Sequence, residues 1–426
     1  MSYFRIEGGR PLAGTFTPAG NKNAALPILA GCLLTEEPVR LTNVPDIRDV
    51  RTMVDLLASL GAEVHWESPS EVVLRATQLT GRKIDPELAA NIRASVLVAG
   101  PLLARQSEVE LPPPGGDVIG RRRLDTHFLA LTGLGASIEA SGSYYMRAPR
   151  LRGADIFLDE PSVTGTENAV LAAVTASGIS RIRNAAAEPH VQDLCRFLNV
   201  LGARIGGIGT HILEIEGVDR LSGGEYRIGP DHVEVGSVIG LAACTRSEVM
   251  IEQVSREVQD TLRLGFSRLG LDWDAVDDGI HVPGEQSLEV EADFGGQIPK
   301  IDDGPWPAFP ADLISIALVV ATQCRGTVLV HEKMFESRMF FVDKLISMGG
   351  RIILCDPHRA VVAGPARLRG ARLQSPDIRA GMALVIAALT AEGESEIHNI
   401  EQIERGYERV DERLRGLGAA IERVPE

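Results

Sequence analysis

Residues 48–66, RDVRTMVDLLASLGAEVHW, contain the pattern that decides the fold. Apolar residues recur at i, i+3, i+4 and i+7 between Val50 and Leu57, which predicts an amphipathic helix. Gly61 follows at the position where a left-handed residue commonly ends a helix. The residues after it, 63–66, predict a short strand. This stretch therefore predicts a helix, a glycine turn and a strand in succession.

The same tag, Leu or Met followed by Gly and a mostly small residue, recurs along the whole chain. Its copies are Leu60-Gly61-Ala62, Leu134-Gly135-Ala136, Leu201-Gly202-Ala203, Leu269-Gly270-Leu271, Met348-Gly349-Gly350 and Leu417-Gly418-Ala419. They lie 67 to 79 residues apart, a period that suits a compact supersecondary unit better than a solenoid repeat.

Each unit also contains a second helix that is apolar nearly all round and should therefore be buried. Examples are residues 24–34, 93–103, 168–176 and 381–391. We therefore expect an α/β protein with six βα units in two sets of three, built around buried central helices. The alternative is a generic α/β protein without this internal symmetry.

The composition is that of a globular, acidic protein. The chain has 426 residues, which favours two domains, and a formal net charge of −15. This charge argues against nucleic acid or an anionic membrane as the main partner. Five widely spaced cysteines without a Cys-x-x-Cys pair indicate reduced thiols and no metal site. No signal peptide is evident, and the apolar stretch 313–322 is too short to span a bilayer, so we expect a soluble cytoplasmic protein.

Two basic segments are candidate anion sites. Lys22 lies between Asn21 and Asn23 at the predicted start of a buried helix, where backbone N–H groups favour an anion. The alternative is a solvated helix cap. Residues 111–125 are rich in Pro and Gly, which predicts a loop. Asp117 and three consecutive arginines in that loop indicate a mobile lid over an anion, and the alternative is a solvated run of charge.

Three arginines in the C-terminal half, Arg338, Arg379 and Arg405, each closely follow an acidic residue. Arginine binds carboxylate and phosphate groups bidentately. Because the three come from separate repeat units, they could converge on one polyanion. The alternative for each is an ordinary surface ion pair.

Nine short segments distributed along the chain carry a family resemblance. They are GNKNAALP (20–27), RASV (93–96), PGGDVIG (114–120), PSV (161–163), NAAAEP (184–189), FPAD (309–312), FESR (335–338), DIRAG (377–381) and ERGYE (404–408). In this order they resemble the UDP-N-acetylglucosamine 1-carboxyvinyltransferase family of the EPSP synthase-like superfamily. Each segment is weak alone, and together they are specific.

The resemblance implies two inside-out α/β barrels of three βα units each, in agreement with the six repeats. The implied first domain covers residues 22–230 and carries the loop at about 111–125. The implied second domain combines residues 1–21 and 231–426. We expect phosphoenolpyruvate and UDP-N-acetylglucosamine as partners, no cofactor or metal, and a monomer or weak homo-oligomer.

The resemblance also implies an addition–elimination reaction in peptidoglycan synthesis, in which the sugar 3′-hydroxyl attacks protonated phosphoenolpyruvate and phosphate then leaves. The implied catalytic residues are Asp117, Lys22, Asp312 as the base, and Arg405. The implied phosphoenolpyruvate contacts are Lys22, Asn23, Arg122, Arg338, Arg379 and Arg405. The implied UDP-sugar contacts are Asn23, Arg93, Arg122, Asp125, Ser162, Val163, Glu188 and Asp312.

Besides Asp117, five positions depart from the family pattern: Arg123, Thr164, His232, Trp306 and Glu404. The first two correspond to the nucleotide-sugar side, so they bear on the identity of the acceptor and not on the reaction. The alternatives are a different nucleotide acceptor, shikimate 3-phosphate as in the sister family, or an inactive paralogue that binds a UDP-sugar.

Asp117 is the departure with the clearest chemical consequence. Most of the family has a cysteine there, and the epoxide antibiotic fosfomycin alkylates that thiol. A carboxylate is a weaker nucleophile but can still deliver a proton. The resemblance therefore implies an active enzyme that is insensitive to fosfomycin.

Overall fold

The computed structural model describes residues 2–116 and 119–425. Within these residues, the chain folds into two compact units. The terminal unit comprises residues 2–19, 119–121 and 230–425, and the central unit comprises residues 20–116 and 122–229.

The strands, numbered along the chain, are mostly short. They are β1 Ser2–Glu7, β2 Ala13–Phe16, β3 Val39–Thr42, β4 Glu63–Ser68, β5 Glu71–Arg75, β6 Glu108–Leu111, β7 Ser137–Ser141, β8 Ser143–Arg147, β9 Asp155–Phe157, β10 Ile179–Arg183, β11 Arg204–Gly206, β12 Ile212–Glu216, β13 Gly224–Arg227, β14 Glu248–Glu252, β15 Asp274–Val276, β16 Gly279–Val282, β17 Lys300–Asp302, β18 Gly326–His331, β19 Ile352–Asp356, β20 Arg359–Gly364, β21 Arg372–Gln374, β22 Glu394–His398 and β23 Ala420–Pro425.

The helices alternate with these strands. The α-helices are α1 Lys22–Gly31, α2 Arg48–Ser59, α3 Pro86–Asn91, α4 Ala99–Gln106, α5 Asp125–Gly133, α6 Val163–Ala173, α7 Pro189–Val200, α8 His232–Thr245, α9 Arg256–Phe266, α10 Ile314–Gln323, α11 Val342–Ser347, α12 Ile378–Thr390 and α13 Val410–Gly416. The 3₁₀ helices are Cys32–Leu34, Arg93–Val98, Ser267–Leu269, Ala311–Leu313, Arg338–Phe341 and Ile400–Arg405.

The terminal unit has three sheets among its described residues, with strand orders β21-β22-β1-β23, β15-β16-β14-β2 and β17-β18-β20-β19. Helices α8, α10 and α12 pack against one another and are buried on almost every side. A helix that is apolar all round needs such surroundings, because any exposed face would leave apolar area in water.

The central unit repeats this arrangement. Over its described residues the sheets are β13-β3-β5-β4, β11-β12-β10-β9 and β6-β8-β7. Helices α1, α4 and α6 fill its core, with α6 in contact with both of the others. Each unit is therefore an inside-out α/β barrel with helices within and separate sheets around them, and the predicted fold class is confirmed.

The glycine tags explain how each repeat turns from helix to strand. Gly61, Gly135, Gly202, Gly270, Gly349 and Gly418 have φ values between +74° and +107°. This left-handed region costs a non-glycine residue energy because of its Cβ atom. Each tag follows a helix on the outside of its repeat and precedes a strand, as predicted for residues 48–66.

The predicted helix at 93–103 is present, but its first half is a 3₁₀ helix. Residues Arg93–Val98 form a 3₁₀ helix, and α4 begins only at Ala99. Pro101 has no N–H to donate to the Leu97 carbonyl, so an α-helix cannot continue through this turn without losing a hydrogen bond. The Ser95 hydroxyl also donates to the Ile92 carbonyl at 2.9 Å, which favours the tighter turn.

Candidate functional site

In the terminal unit, Asp312 lies between two arginines. Arg338 Nη2 is 2.6 Å from Asp312 Oδ1, and Arg379 Nη2 and Nε are 3.1 and 3.2 Å from Oδ2. The side chains of both arginines are largely buried, at 13% and 7% exposure. The alternative of ordinary surface ion pairs is therefore wrong for these two residues. Two buried guanidinium groups around one carboxylate leave a net positive charge.

Each of these arginines has one buried nitrogen that donates no hydrogen bond within the described residues. Among the described residues, Arg338 Nε and Arg379 Nη1 are buried and have no hydrogen-bond partner. Buried donors are normally satisfied because an unmade hydrogen bond costs free energy. An anion accepting from both nitrogens would satisfy them and neutralise the remaining charge.

The local sequence explains why both arginines are held rigidly. Asp377 caps α12, since its Oδ1 accepts from the N–H groups of Arg379 and Ala380 at 2.9 Å. Ahead of Arg338, the backbone of residues 333–335 donates to two buried carboxyl groups, Asp303 and Glu332. Sequence reasoning missed both carboxyls, because neither lies in a segment with a recognisable pattern.

Glu332 is fully buried, and one of its oxygens, Oε2, has no hydrogen-bond partner in the described parts of the chain. Burial raises the pKa of the Glu332 carboxyl to about 9, and the nearby Asp303 adds to this. The group is therefore protonated at neutral pH. It leaves the positive charge of Arg338 available to other anions.

Arg405 ends the 3₁₀ helix Ile400–Arg405 and donates from Nη1 to Gln402 Oε1 at 3.1 Å. Glu404, its acidic neighbour, pairs with Arg423 at 2.5 Å. The same turn carries Tyr407, whose buried ring has the Arg379 guanidinium carbon 5.3 Å from its centre. The turn that carries Arg405 therefore contacts Arg379 through the Tyr407 ring.

His232 and Trp306, two of the departures, lie beside this cluster. Their rings meet edge to face with centres 5.8 Å apart, and the Trp306 indole donates to Glu257 Oε1 at 2.9 Å. Burial lowers the pKa of His232 to about 4. His232 is therefore neutral near pH 7 and adds no charge to the arginines.

In the central unit, Lys22 is the first residue of α1, after the cap Asn21. Its Nζ lies 2.8 Å from Asp49 Oδ2, and both side chains are more than nine-tenths buried. The alternative of a solvated helix cap is therefore wrong. Asn23 follows within the same helix. Asp49 was not predicted as a partner because only the fold brings α2 to the start of α1.

Two arginines of the arginine-rich loop are held through their backbone carbonyls. Leu111 ends β6, Asp125 begins α5, and the described residues between them form neither helix nor strand, as predicted. Arg93 Nη2 donates to the carbonyls of Arg122 and Arg123 at 2.7 and 3.0 Å. Burial, with Arg122 as a second cause, lowers the pKa of Arg93 to about 10.

Further contacts hold Arg121, Arg123 and Asp125. Arg123 pairs with Asp125 at 3.1 Å and with Asp159 at 2.8 Å. In the terminal unit, the Arg121 N–H donates to Glu336 Oε1 at 3.0 Å. Asp117 lies outside the described residues.

The remaining predicted contacts lie at helix starts, where backbone N–H groups favour anions. Ser162 caps α6 by accepting from the Gly165 N–H at 3.2 Å, and Val163 is the first residue of that helix. Glu188 stands at the cap position of α7. Burial raises the pKa of Glu167, within α6, well above its usual range, and Glu188 adds to the effect.

Thr164 contacts a buried histidine. Its hydroxyl lies 3.1 Å from His127 Nε2, and the Asn168 amide nitrogen lies 3.1 Å from His127 Nδ1. Burial lowers the pKa of His127 to about 3, so the ring is neutral. Because the amide donates to Nδ1, Nε2 carries the proton and donates to Thr164.

Two features are absent from the described residues. None of their helices combines the length and apolar character that crossing a membrane requires. Their His, Cys, Asp and Glu side chains form no group of three or more that could hold a metal ion.

Comparison with known proteins gives consistent matches. A sequence profile of EPSP synthase (3-phosphoshikimate 1-carboxyvinyltransferase) matches residues 6–414. The chain is 60% identical over 421 residues to UDP-N-acetylglucosamine 1-carboxyvinyltransferase of Bradyrhizobium diazoefficiens, covering 99% of this chain and 98% of the relative. It is 56% identical over 424 residues to the Treponema denticola protein of the same name, covering 99% of each.

Two solved structures share the fold. The enolpyruvyl transferase NikO from Streptomyces tendae superposes with a TM-score of 0.87 at 21% identity, covering 99% of both chains. EPSP synthase from Acinetobacter baumannii superposes with a TM-score of 0.76 at 16% identity, covering 100% of both.

Proposed function

The chain belongs to the EPSP synthase family, and we propose that it transfers the enolpyruvyl group of phosphoenolpyruvate to the 3′-hydroxyl of UDP-N-acetylglucosamine, releasing phosphate. The observation that carries this proposal is the 60% identity, over nearly the whole of both chains, with a relative named for that reaction. The buried arginine pair around Asp312 supports it, because the donor substrate is a polyanion.

The reaction balances in two steps. A proton adds to the methylene carbon of phosphoenolpyruvate, the sugar oxygen bonds to the neighbouring carbon, and the hydroxyl proton goes to a base. The carbon–oxygen bond to phosphate then breaks, and the methyl group gives up a proton to restore the double bond. Both steps develop charge, so preorganised ionic groups should dominate the catalysis.

We assign the phosphoenolpyruvate carboxylate to Arg338, Arg379 and Arg405. The unpartnered buried donors of the first two support this assignment. The phosphate is assigned to Lys22, Arg122 and Arg405, with Asn23 beside Lys22. These contacts would also favour departure of the phosphate, since they stabilise its negative charge.

Asp312 is proposed as the base that accepts the hydroxyl proton, and Asp117 as the acid. The Asp312 oxygens accept from both guanidinium groups, which keeps the carboxylate ionised and holds it in one orientation. The UDP-sugar contacts proposed for this chain are Asn23, Arg93, Arg122, Asp125, Ser162, Val163, Glu188 and Asp312.

Phosphate release with a panel of acceptors tests the proposal. The purified enzyme, phosphoenolpyruvate and one acceptor are mixed, the acceptors being UDP-N-acetylglucosamine, UMP and shikimate 3-phosphate. We expect release only with the UDP-sugar, together with an enolpyruvyl ether that mass spectrometry detects. Release with another acceptor alone would replace the proposed substrate, and no release with any would point to an inactive paralogue.

We further propose that the reaction takes place in the cytoplasm, as the first committed step of peptidoglycan synthesis, and that the two units act as two domains of a monomer or weak homo-oligomer. The charged nucleotide substrate favours an aqueous compartment. The free thiols of all five cysteines are consistent with a reducing one.

A further inference from the structure

Arg379 is the most enclosed of the candidate substrate-binding cations. One edge of its guanidinium group, Nε and Nη2, is held by Asp312. Nη1 on the other side has no hydrogen-bond partner among the described residues. Asp312 fixes one edge of the guanidinium group but not its tilt about that edge. The direction in which Nη1 points therefore depends on what packs against the face of the guanidinium plane.

That support is Tyr407. The Arg379 guanidinium carbon lies 5.3 Å from the centre of the Tyr407 ring, within the range of a cation–π interaction. The ring is 3% exposed, so it cannot move aside into solvent. Gly406, next to it, packs so closely against the start of α12 that a Cβ atom there would lie 2.5 Å from Ile378 Cγ2.

The hydroxyl of Tyr407 fixes the ring in turn. It lies 2.9 Å from Ser237 Oγ, and the Ser237 hydroxyl donates to the Val233 carbonyl at 2.8 Å. Because serine has a single proton to donate, Tyr407 must be the donor in the first contact. Burial raises the pKa of Tyr407, which keeps that proton in place. The ring is thereby anchored to α8, a central helix of the terminal unit.

We propose that Tyr407 is a positioning residue that, anchored by Ser237, aims the free donor of Arg379 at the carboxylate of an enolpyruvate-type substrate. The inference rests on the proposed function. Tyr407 contacts Arg379 and need not contact the substrate, so its loss should weaken binding of the anion more than it slows turnover. The segment ERGYE, in which only Arg405 had an assigned role, thereby gains a second functional residue.

The test compares Tyr407→Phe, Ser237→Ala and the double variant. Tyr407→Phe keeps the ring but releases it from α8, and we expect KM and Kd for phosphoenolpyruvate to rise about three- to tenfold, the size of one net hydrogen bond. The value of kcat should change less than twofold. Ser237→Ala should give the same rise in KM, and the double variant should add nothing to it, because all three break one chain of contacts.

Measurements of Tm distinguish a positioning role of Tyr407 from a role in packing alone. Ser237→Ala leaves the buried Tyr407 hydroxyl without the acceptor for its proton, so the Tm of this variant should fall below that of the double variant, which lacks both hydroxyl groups. Tyr226→Phe is the matched control, since it removes a hydroxyl hydrogen-bonded to Asp193 in the central unit. It should leave KM for phosphoenolpyruvate unchanged, whatever it does to Tm.

An unchanged KM in Tyr407→Phe, or additive effects in the double variant, would overturn the inference. Calorimetric binding of phosphoenolpyruvate in the absence of an acceptor gives a reading independent of turnover. If wild type binds phosphoenolpyruvate but releases no phosphate, the proposed function fails and the Kd comparison still decides the role of Tyr407. If wild type does not bind it, both fail.

Discussion

Arg405 shows how much a single side chain contributes through its shape. A lysine there would keep the charge but lose the planar fork that binds an anion through two parallel hydrogen bonds. We expect Arg405→Lys to lower kcat/KM more than tenfold, about 1.4 kcal/mol of transition-state binding. Arg367→Lys, at a side chain that is 79% exposed, is the control and should retain wild-type activity. Wild-type kinetics in Arg405→Lys would mean that the phosphate site lies elsewhere.

Glu332 predicts an unusual dependence of stability on pH. Burial raises its folded pKa to about 9 from an ordinary value of 4.5, so the folded state binds the proton more tightly than the unfolded state. Folded stability should therefore fall as the pH rises from about 4.5 to 9. Glu332→Gln removes this penalty, and we expect its free energy of unfolding at pH 8 to exceed that of wild type by about 1–3 kcal/mol.

Urea denaturation at several pH values measures this difference. Near pH 4.5 the variant and wild type should converge, because a protonated glutamic acid resembles glutamine. Glu139→Gln, at an exposed position in β7, is the control and should leave the pH profile of unfolding unchanged. A constant offset between Glu332→Gln and wild type at all pH values would contradict the assignment.

Asp117 predicts insensitivity to fosfomycin. The carboxylate is too weak a nucleophile to open the epoxide at the rate of a thiolate, and the sequence has no cysteine within residues 111–125. We expect no covalent adduct by mass spectrometry after incubation with fosfomycin and UDP-N-acetylglucosamine. Asp117→Cys should gain both the adduct and time-dependent inhibition, whereas Asp117→Asn should keep the fold and lose most turnover. A stoichiometric adduct on the wild-type protein would refute the prediction.

Sequence reasoning located the candidate residues but could not identify their partners. Motif resemblance marked Lys22, Arg338 and Arg379, because the chemistry of an anion site restricts which residue types occur there. Asp49 pairs with Lys22, and Asp312 pairs with Arg338 and Arg379. These pairs depend on the packing of segments that are distant in sequence, so local pattern could not predict them. Acidic neighbours in sequence were a poor guide, since helix capping uses Asp377 instead.

At the scale of elements, two neighbouring glycines allow the effect of backbone conformation on stability to be measured without a change in packing. Gly416 is the last residue of α13, whereas Gly418 has φ +95°, and a Cβ atom at either would meet no other atom within 4 Å. Gly416→Ala should stabilise the protein by about 0.5–1 kcal/mol, because alanine favours the helix. Gly418→Ala should destabilise it by about 1 kcal/mol through the left-handed backbone. Thermal unfolding of both variants measures this, and equal shifts of Tm would contradict the explanation.

The elements themselves were largely predictable from local pattern. The outer helix, glycine and strand of every repeat could be recognised because amphipathic periodicity and a left-handed glycine are both local properties. The buried helices were harder, since a helix that is apolar all round has no periodic signal to mark its ends. Prediction therefore started the helix of 163–173 five residues late, at 168, and missed the 3₁₀ geometry of 93–98.

At the scale of the molecule, the points where the chain crosses between units suggest that each unit folds alone. In the central unit the Asn21 N–H donates to the Gly229 carbonyl at 2.8 Å, and in the terminal unit the Asp231 N–H donates to the Ala19 carbonyl at 2.9 Å. The ends of each segment are thus adjacent. We expect residues 20–229 to unfold cooperatively as a separate fragment, although they include residues 119–121 of the terminal unit. A chain that joins residues 1–19 directly to 230–426, and so lacks only 119–121 among the described residues of its unit, should do the same.

Calorimetry and far-ultraviolet circular dichroism on these two shortened chains provide the measurement. Residues 230–426 without 1–19 are the control, and they should not fold. They lack β1, which lies between β22 and β23 in the interior of its sheet. Cooperative unfolding of that control would show that the terminal unit does not need its first strand.

The position of β1 also bears on how the protein is made. Phe4 pairs with Ile397 on one side and with Arg423 on the other, so the ribosome must reach the end of β23 before this strand has both neighbours. The central unit can meanwhile fold as it emerges, while β1 carries the apolar side chains of Phe4 and Ile6 unprotected. On a polysome, where nascent chains are crowded together, that strand has the opportunity to enter the sheet of a neighbouring chain.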